Sequence, residues 1–404
     1  MLNRPHGALP WRCADRVTAS NHAARGRRLS RGLVALRIIL LAAFVTACGS
    51  PAAPRDTGVD LDRLFAPPTA AEIRAVEADW AARAPAAESV RVEFTGSFPL
   101  AGKSMRLSVV SHVVDGHRHF GAILVPALPG SQALPRVMYL HGGDNAVAVE
   151  ELQLLVSAVG EEAAEAVWVV PSFRSESLRT GTMTWQSGGE PSPWDRDVDD
   201  ALALLDVALA FTPVVDAGRI GTIGQSRGSG VALLMSVRDS RIRATVEFFG
   251  PTDFFGTFMR DVVADALRGQ LRPLPGLSHL NTTWLQPLRR GEVTYEATRL
   301  AMLRRSPAWF AARLGPVQLH HGTADVVVHV SQAQRLIDAM SGIGRGPPDF
   351  EAYLYPGVGH SAFAMTGAAA RVTAFLGRLR VTLSAGPVET TLFTRSSDPE
   401  CAVL

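Results

Sequence analysis

Six short apolar runs, each followed by a turn and then by a helical period, constrain this chain more than any other feature. Of the runs 137–140, 167–170, 220–223, 244–249, 317–320 and 350–354, most are too uniformly apolar for strands with one wet face, so they read as strands buried on both sides. Between them lie helical periods. In residues 195–210, Val198, Ala201, Leu202, Leu205 and Leu209 keep to one stripe, with Asp197, Asp199 and Asp200 expected outside it. Alternating strands and helices predict an α/β fold with a mostly parallel, doubly wound sheet. Ahead of it, residues 90–94, 105–114 and 119–125 predict short antiparallel strands separated by Gly-containing turns. Thr69, with Glu72 three residues on, predicts a capping box and a helix through about residue 82.

The 404 residues carry a net charge of +2, but unevenly. Residues 1–47 hold eight arginines against Asp15, which leaves −5 for the rest of the chain. The basic residues do not cluster after residue 47, so nucleic acid is not an expected partner. The arginine-rich start runs into an apolar stretch, residues 38–47, too short to span a bilayer and suited to a signal-peptide core. Val45-Thr46-Ala47-Cys48 resembles a bacterial lipobox, which makes Cys48 the expected lipidated residue and places the protein in the cell envelope, anchored and extracytoplasmic. Cys13, Cys48 and Cys401 are the only cysteines, so with Cys48 acylated no intrachain disulfide is expected.

Composition suggests a signal peptide over residues 1–47, a tether over 48–68 rich in Pro, Ala, Asp and Gly, a folded domain over 69–380, and a frayed polar tail over 381–404. Residues 252–311 interrupt the strand rhythm. Their aromatics, among them Phe254, Phe255, Phe258, Trp284 and Trp309, favour a packed helical lid over a loose loop.

The chemistry concentrates at Gly224-Gln225-Ser226-Arg227-Gly228, between a buried strand and a helix. G-x-S-x-G in that setting is a nucleophile elbow: the glycines let strand and helix approach, and the serine is held in a strained turn with the helix N-terminus aimed at it. A serine needs a base, and the base a carboxylate to orient it. His360 lies in a Gly-rich turn after the last strand, and Asp325 follows the strand before it. Donors for a tetrahedral oxyanion are expected from the N–H of Arg227 and from Gly143 or Asp144, after His141-Gly142 at another strand end. The Arg227 side chain is read as bound to a scaffold carboxylate, with Asp253 one candidate, or alternatively as a grip for a substrate carboxylate. Trp185, Trp194 and Phe254 are expected in the substrate pocket. No metal site is assigned: His117 and His119, and the pair His320-His321, lack a second cluster at zinc spacing. No dinucleotide fingerprint or phosphate-binding loop appears, and no cofactor is expected.

From about residue 90 to 379 the chain resembles an α/β-hydrolase, in the branch of prolyl oligopeptidases and dienelactone hydrolases. The resemblance rests on the run from Asp195 to Ala201, on Gly-Gln-Ser-Arg-Gly, on Phe249-Gly-Pro-Thr-Asp253, on Arg305-Ser-Pro before His-His-Gly-Thr-Ala-Asp325, and on Gly-His360. The order Ser226, Asp325, His360 is that of the superfamily. The chain departs from true prolyl oligopeptidases in having no room for an N-terminal propeller and in carrying Arg227 where they usually have tyrosine. The resemblance implies a serine hydrolase acting on a small ester or a short peptide. A carboxylesterase is the first expectation and a peptidase the second. From another class, a surface-binding lipoprotein that keeps the fold without catalysis is the remaining alternative.

Overall fold

The computed structural model describes residues 57–379, except 84, 128–133, 161–163, 213 and 214. The leader, Cys48, the first part of the tether and the tail from 381 lie outside the described residues. Twelve strands are described in chain order: β1 Glu88–Leu100, β2 Lys103–Val114, β3 His117–Pro126, β4 Leu134–Leu140, β5 Ala146–Ala148, β6 Val167–Pro171, β7 Ser177–Thr180, β8 Met183–Gln186, β9 Val215–Gln225, β10 Ile242–Phe248, β11 Val317–Gly322 and β12 Phe350–Tyr355. Nine form one sheet in the order β1-β2-β3-β6-β4-β9-β10-β11-β12. The pairs from β1 to β6 are antiparallel, and every pair from β6 onward is parallel. The three short strands β5, β7 and β8 form a second sheet.

Before and between the strands run α1 Leu61–Leu64, α2 Ala70–Arg83, α3 Glu151–Val159, α4 Arg196–Phe211 and α5 Arg227–Arg238. The stretch after β10 is helical, with α6 Thr257–Leu267, α7 Leu277–Leu280, a π turn Asn281–Leu285, α8 Gln286–Arg290, α9 Tyr295–Leu303 and a 3₁₀ segment Pro307–Arg313. Then come α10 Ser331–Gly342 and α11 Ala368–Gly377. Each sheet face has its own apolar core. One is shared by α4, α5, α10 and the lid helices, the other by α3 and α11. Covering both faces is what makes the central strands uniformly apolar: Val167, Trp168, Val169 and Val170 are all fully buried.

Two expectations are corrected. Asp197, Asp199 and Asp200 were expected on a wet face of α4, but all three are buried, because arginines from distant segments close over them. Asp199 accepts from Arg196 at 3.0 Å and from Arg238 at 2.5 Å, and Asp200 from Arg174 at 2.7 and 2.9 Å. Order also begins earlier than residue 69. The capping box forms there, with the Thr69 N–H donating to Glu72 at 2.8 Å and the Glu72 N–H to Thr69 Oγ1 at 3.2 Å. Residues 57–68, assigned to the tether, are packed as well: α1 is capped by the Asp60 carboxylate, and Leu64 is fully buried.

One side chain holds that segment down. Arg299 on α9 donates to the carbonyls of Arg63, Leu64 and Ala66 at 3.1, 2.8 and 2.7 Å, and to both oxygens of Glu72. Arg299→Ala strands these acceptors together, so we expect a loss of about 3 kcal/mol in urea unfolding. We also expect new proteolytic cleavage within residues 57–68.

Candidate active site

The turn that presents Ser226 exists because two glycines remove steric bulk. A Cβ on Gly224 would lie 2.4 Å from the Gly228 carbonyl oxygen, and one on Gly228 would lie 2.0 Å from that of Leu140. With neither present, α5 starts directly against the ends of β9 and β4. Ser226 itself takes φ 53° and ψ −120°, a conformation costly for a residue with a Cβ. It is fixed by its N–H donating to the Phe248 carbonyl at 2.9 Å.

His360 and Asp325 come together after β12 and β11. His360 Nδ1 lies 2.7 Å from Asp325 Oδ2. A carboxylate only accepts, so Nδ1 carries the proton and Nε2 is left as an acceptor. The other Asp325 oxygen accepts the N–H groups of Val327 and Val328 at 2.8 and 3.0 Å. Burial opposes ionisation of Asp325, but the His360 bond and these two N–H groups outweigh it and hold the carboxyl below its usual range. Phe249 links the two halves of the site. Its ring packs 4.3 Å from the His360 ring, and its N–H donates to the His320 carbonyl. Like Ser226, it has positive φ, as do Trp194 and Ser175 nearby.

Ser226 lines a cavity of about 40 Å³ together with Val327 and Val328 from the Asp325 loop and with Phe254, Met259 and Val262 from the lid. Trp194 and Phe254 both line it, packed edge to face at 5.3 Å. Trp185 does not. It lies half-buried on β8 with its ring 6.1 Å from that of Phe94 on β1.

The loop proposed to supply a second oxyanion donor lies against the serine: a Cβ on Gly142 would come within 3.2 Å of Ser226 Cβ. Arg227 braces this loop. Its Nη1 donates to the Gly143 carbonyl at 3.2 Å and to Asp144 at 3.0 Å, and its Nε and Nη2 to Asp197 at 3.1 and 2.7 Å. Nη1 also bonds Glu176. The scaffold partners of Arg227 are therefore Asp197, Glu176 and Asp144. Asp253, the expected candidate, instead accepts from Trp309 Nε1 and the Phe255 N–H, both at 2.9 Å.

Two buried acids near the site are poised by desolvation. Burial pushes Glu176 up to about 7 against the pull of Arg227, with Asp197 and Asp144 adding repulsion. Its Oε2 lies 3.5 Å from His141 Nε2. Burial, then Arg227, drives His141 down to about 3, so it is neutral, and its Nδ1 donates to the Gly142 carbonyl at 3.0 Å. Glu247, missed from the sequence because it sits inside an apolar strand run, is completely buried and pushed up to about 8 by burial, opposed by the Gly250 N–H at 2.9 Å. Among the described residues, no group of three or more His, Cys, Asp or Glu side chains forms a metal-binding array. His320 bonds the Tyr355 hydroxyl and His321 the Val328 carbonyl.

Residues 179–379 match the prolyl oligopeptidase family (Peptidase_S9). Solved structures of similar fold include acetyl xylan esterase 1 from Thermoanaerobacterium sp. JW/SL YS485, at 17% identity and a TM-score of 0.56 over 80% of this chain and 99% of that one. The acetyl xylan esterase from Paenibacillus sp. R4 is similar at 17% identity and a TM-score of 0.50, over 80% and 99%. A puromycin-hydrolyzing peptidase of Mycobacterium tuberculosis is 18% identical with a TM-score of 0.47, over 70% of this chain and 45% of that one. Comparison with curated proteins finds no match.

Glu247 gives a pH signature for the fold. Its folded pKa stands above its unfolded one, so the native state binds the extra proton and stability falls as pH rises from about 4.5 to about 8. Glu247→Gln removes this slope. In denaturant unfolding at stepped pH, we expect the variant to gain on the wild type across that window and to run parallel to it on either side.

Proposed function

We propose that the chain is a serine carboxylesterase with Ser226 as nucleophile, His360 as base and Asp325 as orienting acid. The prolyl oligopeptidase family match over residues 179–379 and the α/β-hydrolase-like fold support a serine hydrolase; the ester specificity and the residue roles are our reading. The observation that carries them is the shared cavity. Ser226, in its strained turn, lines it beside Val327 and Val328, whose N–H groups hold Asp325 while Asp325 holds His360.

In this reading His360 Nε2 takes the Ser226 proton as Oγ bonds to the ester carbonyl carbon. The negative charge that develops on the carbonyl oxygen meets the Arg227 N–H at the head of α5 and an N–H at Gly143 or Asp144. The intermediate collapses by breaking the bond to the alcohol oxygen, which leaves with the proton from His360. Water, deprotonated by His360, then cleaves the acyl-enzyme, and the acid departs as Ser226 recovers its proton. The 2.7 Å bond to Asp325 fixes the His360 tautomer and stabilises the transient imidazolium.

A peptidase reading has the family domain in its favour. An aminopeptidase, however, needs free carboxylates to grip a substrate amino group. Glu176 and Asp144, which line the cleft beside Arg227, are both engaged by it. That favours esters. We further read Cys48, which lies outside the described residues, as the lipid attachment site of an extracytoplasmic, envelope-anchored protein.

Ser226→Ala should lower kcat on 4-nitrophenyl acetate by about 10⁶ and abolish fluorophosphonate labelling, and Asp325→Asn should lower kcat by about 10⁴ with labelling slowed. Near-normal turnover in Ser226→Ala would end the catalytic reading, and faster cleavage of aminoacyl 4-nitroanilides than of esters would favour the peptidase. Cys48→Ser should move the protein from the membrane fraction to the soluble one.

A further inference from the structure

The cavity beside Ser226 is too small for a whole ester. At about 40 Å³ it suits only a short acyl chain. Its lid walls, Phe254, Met259, Val262 and Leu277, are apolar.

A second cavity of about 500 Å³ adjoins it, and Arg227 and Gly276 line both. The partition between them is built from the oxyanion loop and the lid. The Gly276 N–H donates to Asp144 at 2.7 Å, and Asp144 in turn accepts from Arg227. The lining changes character across it. Ser175, Ser278, Thr282 and Thr283 bring hydroxyls, and His279 an imidazole that burial drives down to about 4 and so keeps neutral. Thr283 Oγ1 lies 3.4 Å from His279 Nδ1. A neutral imidazole and a hydroxyl each donate once and accept at least once, which matches another hydroxyl group. Of the carboxylates here, Asp144 and Glu176 are engaged by Arg227, and Glu190 stands on the exposed rim. An anion meets net negative charge in this chamber, and an amine finds no free carboxylate pair.

We propose that the larger cavity binds the alcohol side of the substrate as an uncharged, hydroxyl-rich group, while the small apolar slot takes a short acyl group. The assignment rests on the esterase reading and names its substrate class: short-chain esters of sugar-like polyols. The ester link lies at the boundary between the chambers, beside Arg227, the residue next to Ser226. The C–O bond breaks there; the acyl carbon passes to Ser226 Oγ, and the protonated polyol is released into the polar chamber. A volume of about 500 Å³ falls in the range of pockets that enclose a small organic ligand.

The test uses the full chain and two substrate series: 4-nitrophenyl acetate, butyrate and octanoate, and then mono-acetylated methyl glucoside beside its uronate counterpart. Acetate should exceed octanoate in kcat/KM by about 100-fold, since an acyl group larger than the slot must force its walls apart. The neutral glucoside ester should exceed the uronate ester. Thr282→Trp and Thr283→Trp, exposed positions that fill the polar chamber, should each lower the ratio of glucoside-acetate to 4-nitrophenyl-acetate kcat/KM by about tenfold. Octanoate cleaved as fast as acetate, or an unchanged ratio in both folded tryptophan variants, overturns the assignment. If no ester is cleaved and fluorophosphonate does not label Ser226, the esterase reading falls, and this assignment with it.

Discussion

One buried guanidinium organises the region around Ser226. Arg227 is almost fully enclosed, yet it reaches three separate pieces of chain: Asp197 at the head of α4, Glu176 before β7, and both Gly143 and Asp144 on the loop after β4. Its carbon lies 4.8 Å over the Phe173 ring, and its own carbonyl accepts the Trp194 indole N–H at 3.0 Å. A charge taken this far from water is tolerable only when nearly every donor is matched, and removing a single partner would leave the rest uncompensated. That requirement explains why Asp197 is buried at the head of α4 and why the loop beside Ser226 is tied to Arg227.

The same region concentrates backbone strain. Ser226, Phe249, Trp194 and Ser175 all take positive φ with a Cβ present. Each costs on the order of 1–3 kcal/mol, and such conformations persist where surrounding packing determines them. Here the packing is visible: Phe249 is wedged between β11 and the His360 ring, Trp194 is tied to the Arg227 carbonyl, and Ser226 is pinned to β10. Local stability is spent to aim side chains, a common arrangement at sites of chemistry.

The sheet was legible in the sequence because helices cover both of its faces, which leaves strands such as β6 with no polar alternation to confuse the reading. The turn at Ser226 was legible because Gly224 and Gly228 have no substitute where backbones pass at contact distance. What stayed hidden was pairing over long separations. Asp197, Asp199 and Asp200 look like the wet side of an amphipathic helix until Arg227, Arg196, Arg238 and Arg174 are placed over them, and nothing local to residues 195–210 announces the three from outside that stretch. Asp253 and Asp197 were equally plausible partners for Arg227 by composition, and only the third dimension separates them. Trp185 and Trp194 differ likewise: both sit in one long connection, yet Trp194 lines the cavity beside Ser226 while Trp185 packs near Phe94.

The anchoring of residues 63–66 by Arg299 has a consequence for biogenesis. The Arg299–Leu64 contact spans 235 positions, so the segment around Leu64 has no seat until most of the chain has been made. Residues 57–68 then wait unpacked during synthesis, open to escort factors that hold unfolded chains. They would settle only when the lid is complete, which makes closure at the N-terminal edge a late event in maturation.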